Sequence, residues 1–434
     1  MNDMPRRTML PSDGGPGEAE RPRHHRTGPF GVLDIGTTKI ACLIGRVESD
    51  GRLRVLGFGW HKGRGVRGGS IVDLDEAERA IRACVGQAED MADTRLRAVT
   101  VNLSCGQPES RLYNVQWPAG GRAVSDDDIR GVVNEGRVRA AVDGRVAIHA
   151  MPLHFAVDAT DHVTDPRGLF CTTLTARLHI IDAVSTALRS LEACIGRCDL
   201  EIEELVSAPM AAGLSTLVDD ERELGVTIID MGGGTTGMAV FAENQLMHTA
   251  QLPIGGLHVT KDLATGLSTT LAHAERLKTL YGNVESSPDD ETELLPVPLV
   301  GEEEDHQLAR VPRSMVVNII RPRIEETFEY VKDRLDSSGM ARAAGNRVVL
   351  TGGACQLPGL REMAARMLNR QVRLGRPTAL RGLPELASGP AFATAAGLLS
   401  WSAGNGRTFH DVDMDVERPA GLFRKLVNFL KERV

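Results

Sequence analysis

The fold is decided by the stretch Gly31-Val32-Leu33-Asp34-Ile35-Gly36-Thr37-Thr38-Lys39, in which an apolar strand delivers an aspartate to a tight turn of small residues. Glycine lets the backbone approach an anion closely, and successive N–H groups of such a turn, with the threonine hydroxyls, can donate hydrogen bonds to phosphate oxygens. Asp34 would then hold a hydrated Mg²⁺. Taken alone, the stretch also fits a plain hairpin turn with a capping aspartate.

A second stretch repeats this architecture in the other half of the chain. It reads Ile228-Ile229-Asp230-Met231-Gly232-Gly233-Gly234-Thr235-Thr236. A run of consecutive glycines carries a large conformational entropy cost, so such a run after an apolar strand indicates that the backbone itself contacts a ligand. Asp34 and Asp230 would then face one phosphate tail.

A third stretch, Val348-Val349-Leu350-Thr351-Gly352-Gly353-Ala354, again leads from an apolar strand into glycines. Its small side chains leave room for a flat ring. Each of the three patterns is degenerate by itself, but the ordered set is far more specific and predicts a nucleotide site.

The bulk composition excludes several classes of protein. A chain of 434 residues predicts two or three domains, and 42% apolar with 25% charged residues is typical of a globular protein. The net charge of −8 argues against a nucleic-acid partner, and no apolar run is long enough to cross a membrane. Seven scattered cysteines fit a reducing cytosol, and Cys194 and Cys198 are interpreted as ordinary helix residues.

The last residues form an amphipathic pattern. On a helical wheel the apolar side chains of 421–434 fall within roughly 160° of arc, and four basic residues accompany them in an otherwise acidic chain. This pattern favours a helix lying in an anionic lipid interface, although a helix that docks on the protein's own core would also be amphipathic. The predicted membrane contacts are Leu422, Phe423, Arg424, Lys425, Leu426, Val427, Phe429, Leu430, Lys431 and Arg433.

Taken together, the three stretches resemble the actin-like ATPase superfamily, whose two phosphate motifs and adenosine motif appear here as DIGTTK, DMGGGTT and LTGGA. The resemblance implies an α/β, ribonuclease-H-like duplicated two-domain fold with ATP at the base of the cleft. It assigns Asp34 and Asp230 to Mg²⁺ and Gly352, Gly353 and Ala354 to adenosine. The phosphate contacts it implies are Gly36, Thr37, Thr38, Lys39, Gly232, Gly233, Gly234, Thr235 and Thr236.

Two departures from the superfamily bear on hydrolysis. Chaperones of the superfamily carry a second aspartate where this chain has Gly237, and an acidic or amide residue where it has Ala208. Because an attacking water then lacks an obvious base or orienting group, the sequence predicts ATP binding with at most slow hydrolysis, below about 1 s⁻¹.

Within the superfamily the chain resembles the FtsA family of bacterial cell-division proteins. The resemblance runs from Phe30 to Val434 and includes HAMPLHF at 149–155, TARLH at 175–179 and DERELG at 220–225. It implies an inserted α+β subdomain, self-association into short filaments, recruitment of other division proteins, and binding of the tubulin-like protein FtsZ through residues 256–341. The implied location is the cytoplasmic face of the inner membrane at the division septum.

The predicted organisation follows from these patterns. A disordered leader precedes a first actin-like domain that the inserted subdomain interrupts, and a second actin-like domain is followed by a polar linker and the terminal helix. An acidic segment at 285–305 is predicted to be an exposed loop or hairpin. The predicted boundaries are 1–28, 29–106, 107–182, 183–218, 219–401, 402–419 and 420–434.

Three other classes share part of the pattern. A sugar or acyl kinase would share the DIGTT turn, but it needs a substrate pocket with a catalytic aspartate. A chaperone would need a sizeable peptide-binding domain after the ATPase, whereas few residues follow Leu399. A pilus-assembly ATPase-like scaffold would lack the terminal helix.

Overall fold

The computed structural model describes residues 28–301 and 308–404. The predicted leader up to residue 27, most of the predicted linker and the whole predicted terminal helix lie outside these residues. The strands are β1 Phe30–Ile35, β2 Lys39–Val47, β3 Leu53–Lys62, β4 Val66–Arg67, β5 Ser70–Ile71, β6 Ala98–Leu103, β7 Glu109–Ala123, β8 Arg145–Val157, β9 Thr160–Val163, β10 Phe170–Val184, β11 Glu201–Ser207, β12 Val226–Met231, β13 Thr236–Ala242, β14 Gln245–Leu252, β15 Leu294–Pro298, β16 Leu308–Pro312, β17 Arg347–Thr351 and β18 Gln371–Leu374.

The helices alternate with these strands. They are α1 Leu74–Ala92, α2 Asp126–Arg139, α3 Ser185–Arg197, α4 Ala208–Thr216, α5 Asp219–Leu224, α6 Gly256–Gly266, α7 Leu271–Tyr281, α8 Arg313–Ser337, α9 Leu360–Leu368 and α10 Ala393–Ser402. Among the helices of the described ranges, none combines the length and the apolar character that crossing a bilayer requires.

Two sheets share one strand order, which confirms the predicted duplication. The first is ordered β11-β6-β1-β2-β3 and the second β18-β17-β12-β13-β14. In each sheet three consecutive strands form an antiparallel meander, and two later strands add in parallel on the other side of the first strand. The equivalent strands β1 and β12 are therefore central, and a turn at their carboxyl ends lies near the middle of each domain.

The helical period of residues 75–91 predicts an amphipathic helix with one apolar face, and α1 packs as this pattern predicts. The side chain of Asp73 accepts a hydrogen bond from the Glu76 N–H at its start, and Asp93 adopts a left-handed conformation at its end. The residues predicted to face the core are all buried: Ala77, Ala80, Ile81, Cys84, Val85 and Ala88. The amphipathic period of this segment thus sets which face of the helix packs on β2 and β3.

Helices α4 and α10 form a layer between the two sheets. Side chains alternate along β12, so that Val226 and Ile228 join the core around these helices while Ile229 and Met231 join the core of the second domain. A Cβ on Gly397 of α10 would lie only 1.7 Å from the Ala211 carbonyl oxygen of α4. The absence of a side chain at this position therefore allows the two helix backbones to touch.

The inserted subdomain folds as a sheet ordered β7-β10-β8-β9 with α2 packed against it. Ser125 and Asp128 form a capping box at the start of α2, which confirms Ser125 as its N-cap. The buried Asp128 carboxylate also accepts hydrogen bonds from Arg122 and from Trp117 Nε1. These donors hold the pKa of Asp128 well below its usual range, so the carboxylate stays charged and fixes α2 on the sheet.

Of the acidic segment predicted to be an exposed loop or hairpin, residues 294–298 form β15, which pairs antiparallel with β16 just beyond the segment. All seven cysteines are buried and unbridged. Burial raises the pKa of the Cys84 and Cys355 thiols to about 12 each, so neither is a reactive thiolate near neutral pH.

Candidate nucleotide-binding site

The two Gly/Thr turns are built alike. The Gly36 N–H donates to the Lys39 carbonyl over 2.9 Å, and the Gly232 N–H donates to the Thr235 carbonyl over the same distance. Asp34 pairs with Ala41 of β2, and Asp230 pairs with Gly237 of β13 in the equivalent register. Each sheet thus presents one carboxylate and one small-residue turn in the same relation to the strand.

The turns meet between the domains. A Cβ on Gly233 would lie 2.4 Å from Thr38 Cγ2, and a Cβ on Gly234 would lie 2.3 Å from Thr37 Oγ1. The Gly69 N–H also reaches Thr37 Oγ1, at 3.5 Å. The structure therefore brings Thr37 and Thr38 into contact with Gly234 and Gly233. With the two threonines in these positions, only glycine fits at positions 233 and 234.

Asp34 is buried and Asp230 is partly buried, each at the equivalent place in its sheet. Loss of hydration is the main cause that raises the pKa of Asp230 to about 6, and the charge of Asp34 adds to it. Burial also raises the pKa of Asp34, although the Lys39 ammonium, 3.5 Å from Asp34 Oδ2, opposes this. Two such carboxylates beside Lys39 have an oxygen-rich, anionic character that suits a hydrated divalent cation. Their positions fit the predicted Mg²⁺ site.

Lys39 connects the first turn to the segment before α10. Its Nζ donates to the Ala391 carbonyl over 2.6 Å and lies 3.9 Å from the centre of the Phe392 ring. Thr394, two residues further on, donates its hydroxyl to Asp230 Oδ2 over 2.9 Å. The start of α10 and the two residues before it therefore contact both Lys39 of the first turn and the Asp230 carboxylate beside the second turn.

The third turn packs against the second. Gly352 has φ +86°, and a Cβ there would lie 2.4 Å from Asp230 Oδ1. A Cβ on Gly256 would lie 3.1 Å from Ala354 Cβ, and the Gly256 N–H donates to the Gly232 carbonyl. A Cβ on Gly353 would meet only the Ala391 methyl group, at 3.7 Å. All three turns predicted from the sequence therefore converge.

Thr236 lies differently from its neighbours. Its side chain is buried, and its hydroxyl donates to the Ile254 carbonyl over 2.8 Å. Within the second turn, Gly233 and Gly234 lie against Thr38 and Thr37 of the first turn, while Thr236 begins β13. Its hydroxyl anchors the segment that leads to α6.

Several residues at this site have no sequence signature. Lys278 Nζ contacts the Gly256 carbonyl at 3.1 Å, Thr260 Oγ1 at 2.9 Å and Glu275 Oε2 at 2.8 Å, which places an ion pair beside Ala354. Gln251 donates from Nε2 to the Ser104 carbonyl across the domains, and its Oε1 is buried without a hydrogen-bond partner among the described residues.

Gly237 and Ala208, the two positions that differ from chaperones of the superfamily, offer no side chain for hydrolysis. A Cβ on Gly237 would lie 3.2 Å from three ring carbons of Pro209, so an aspartate there would crowd the start of α4. Ala208 is buried and offers no polar group. Neither position can orient a water molecule. The residues predicted to contact a membrane, Leu422 to Arg433, lie outside the described residues.

Solved structures share this architecture at low sequence identity. A chain of the PilM–PilN type IV pilus biogenesis complex matches with a TM-score of 0.62 and 16% identity, over 86% of this chain and 98% of that one. MreB5 of Spiroplasma citri bound to ADP matches with a TM-score of 0.51 and 12% identity, over 86% and 95%. The duplicated sheets with their facing turns define an actin-like protein, and residues 106–182 match the SHS2 domain inserted in FtsA. The predicted fold class is confirmed.

Sequence relatives narrow this class to one family. Residues 227–397 match the model described as cell division protein FtsA. The cell division protein FtsA of Rhizobium meliloti is 44% identical over 85% of this chain and 86% of the relative, and that of Escherichia coli is 32% identical over 85% and 89%. The chain belongs to the FtsA family of bacterial cell-division proteins.

Proposed function

We propose that the protein binds ATP with Mg²⁺ between its two domains and, in that state, tethers FtsZ polymers to the inner membrane. The observation that carries the nucleotide site is the contact of two equivalent hairpins, each with an aspartate at the end of its first strand, over one cleft. Membership of the FtsA family supports the role in division. MreB5, which shares the fold, is itself bound to ADP or AMPPNP in its solved structures.

In this proposal each part of the cleft has one task. The N–H groups and hydroxyls of the two turns donate to the phosphates, and Lys39 adds positive charge near Asp34. Asp34 and Asp230 would hold the hydrated cation, which supplies charge neutralisation of the phosphate tail when it is bound. Gly352, Gly353 and Ala354 border the base, with the Glu275–Lys278 pair beside them.

Nucleotide binding is expected to change the separation between the two domains. Thr37 and Thr38 already contact Gly234 and Gly233, so a phosphate group that enters between the turns has to part them. Gln251 and the Ser104 carbonyl, which join the domains beside the turns, lie on the path of such a motion. Turnover is expected to stay below about 1 s⁻¹, because Gly237 and Ala208 provide no general base.

The nucleotide site is tested by titrating the full chain with fluorescent ATP, with and without Mg²⁺. Asp230→Asn removes one cation ligand at nearly constant shape, so binding should lose most of its dependence on Mg²⁺, with at least a tenfold weaker Kd in its presence, a loss of about 1.4 kcal/mol. Asp90→Asn, an exposed change on α1, is the matched control. Unchanged Mg²⁺ dependence in the Asp230 variant would contradict the assignment.

The tethering role is tested by co-sedimentation with FtsZ polymers and anionic vesicles, with ATP present or absent. We expect FtsZ to pellet with vesicles only when the chain is added, and more strongly with ATP. The family resemblance assigns the FtsZ contact to residues 256–341 and also implies self-association and recruitment of other division proteins. FtsZ that stays in the supernatant under every condition would refute the tether.

The two alternative functions predict different experimental results. A sugar or acyl kinase would transfer phosphate to a panel of small acceptors. A pilus-type scaffold would bind nucleotide but would pellet with vesicles equally well with or without residues 420–434.

A further inference from the structure

Three side chains with metal-binding atoms come together on the outer hairpin of the inserted subdomain, away from the cleft. His154 lies on β8, and Asp161 and His162 lie on β9. His154 Nε2 is 3.7 Å from Asp161 Oδ1, and His162 Nε2 is 3.9 Å from Asp161 Oδ2. One ligand atom from each residue lies within 4.8 Å of the others. Neither the nucleotide site nor the proposed tethering uses this cluster.

The backbone conformation at His162 supports this arrangement. His162 has φ +56°, a left-handed conformation that is uncommon outside glycine, and its N–H donates to Asp161 Oδ1 over 2.8 Å. The two imidazole rings lie with their centres 4.5 Å apart and an angle of 33° between their planes. The hairpin therefore bends β9 so that both rings stand beside one carboxylate.

The cluster offers an ion ligand atoms of two kinds, the ring nitrogens of His154 and His162 and the carboxylate oxygens of Asp161. A neutral imidazole has a free ring-nitrogen lone pair, whereas an imidazolium has none. His154 is partly buried, whereas Asp161 and His162 are exposed. An ion would therefore reach the cluster directly from solvent, and the surrounding residues would restrict the motion of one of its ligands.

We propose that His154, Asp161 and His162 form a binding site for one divalent transition-metal ion of the zinc type. Two imidazole nitrogens and a carboxylate oxygen suit zinc, cobalt or nickel, whereas magnesium and calcium prefer sites made of oxygen atoms alone. Ligand atoms around a tetrahedral zinc ion lie about 3.3 Å apart, given bond lengths of about 2.0 Å. The distances of 3.7 and 3.9 Å therefore need only small side-chain rotations.

The site has a structural consequence for the subdomain. Strand β9 is at the sheet edge and pairs with β8 at only two positions, Phe155 with Val163 and Val157 with Thr160. An ion shared by His154 and the β9 residues would clamp this edge.

The experiment uses the full chain without an affinity tag, stripped with a chelator and titrated with Co²⁺ and then Zn²⁺. We expect one equivalent of Co²⁺ with the visible absorption of a four-coordinate site, displaced by Zn²⁺. The double variant His154→Gln/His162→Asn should bind at least about tenfold more weakly. Asparagine tolerates the left-handed backbone at 162, so this variant keeps the hairpin conformation. Asp161→Asn, a surface change, should weaken binding in the same direction.

The control addresses the other histidines. The adjacent His24 and His25 in the N-terminal segment could themselves bind metal, so His24→Ala/His25→Ala is the matched double variant, and it should bind normally. Binding that survives in the His154/His162 and Asp161 variants, or that disappears in the His24/His25 variant, would overturn the proposal. Absence of any Co²⁺ spectrum with metal in excess would overturn it too. ATP titration of each variant verifies that the rest of the molecule is folded.

Discussion

Thr37 and Thr38 stand directly against the glycines of the second turn, and this contact decides which substitutions the turn accepts. Gly233→Asp would place a Cβ 2.4 Å from Thr38 Cγ2 and a carboxylate where phosphate oxygens are proposed to lie. Crowding and charge repulsion act together, so the Kd for ATP should rise at least about tenfold in a fluorescence titration.

The same substitution in open space provides the control. Gly196 is exposed on α3 and a Cβ there would meet nothing within 4 Å, so Gly196→Asp should leave the ATP affinity unchanged. If both variants bind ATP like the wild type, the second turn does not contact phosphate.

His179 makes stability depend on pH. It is fully buried beside Ser110 Oγ, and burial, with the nearby His248 and His149, lowers its pKa from 6.5 to about 3. Between these values the unfolded chain binds one proton more than the folded chain. The free energy of unfolding should therefore fall by about 1.4 kcal/mol for each pH unit below 6.5 and be fully retained above it.

The check is a comparison of urea unfolding at several pH values between about 4 and 7. His179→Gln removes the titrating group, so its stability should decline less on acidification than that of the wild type. His61→Gln, a change at a partly exposed histidine on β3, should leave the wild-type pH dependence intact. Parallel curves for wild type and His179→Gln would contradict the assignment.

The sequence predicted the turns of the site but not the residues that support them. Asp34, Asp230 and the glycines follow apolar strands, so a local pattern identifies them. Ala391 and Phe392 hold Lys39 through a backbone carbonyl and a ring face, 352 positions further along the chain in the case of Ala391, and neither residue type signals that role. Gln251 was missed for the same reason: its partner is the carbonyl of Ser104, on the opposite domain.

At the level of elements, α4 and α10 are in close backbone contact between the two sheets. Gly397→Ala would place a methyl group 1.7 Å from the Ala211 carbonyl oxygen, so the helices have to move apart. Overpacking of this kind should lower the free energy of unfolding by about 1–3 kcal/mol, measured by thermal or urea unfolding.

Gly389→Ala is the matched control, because a Cβ at this position, shortly before α10, meets nothing within 4 Å. Its stability should stay within about 0.5 kcal/mol of the wild type. Equal stability of the Gly397 and Gly389 variants would mean that the two helices are not in backbone contact in solution.

Most strands and helices could be predicted, because each depends on a local pattern in the sequence. Which elements they pack against could not be predicted in this way. The face of α1 follows from its helical period, and Ser125 begins α2 by a capping pattern. The place of α10 does not follow in this way: predicted as part of the second domain, it packs on β1, β2 and α4 at the junction of both. A helix that is buried on all sides, as α10 is, shows no preferred apolar face in its sequence, so its neighbours are set only by the tertiary fold.

At the scale of the whole molecule, membrane attachment is predicted to depend on the apolar arc of residues 421–434. Phe423→Glu or Leu430→Glu places a charge in that arc and should abolish co-sedimentation with anionic vesicles, while ATP binding is unchanged. Flotation of full-length variants measures the effect.

Asn428→Glu adds the same charge on the polar side of the wheel and is the control. It should reduce pelleting only slightly, through the weaker attraction to anionic lipid. Loss of ATP binding in the Phe423 variant would instead mean that this segment packs on the protein's own body.

The burial of every cysteine gives this protein a practical advantage for observing its domains at work. Because no native thiol is accessible to a maleimide dye, Gly196→Cys on α3 and Glu329→Cys on α8 would be labelled without removing any of the seven natural cysteines. A donor and an acceptor at those two exposed positions would report the separation of the halves in solution. Energy transfer could then follow, in real time, how far the molecule opens as nucleotide arrives.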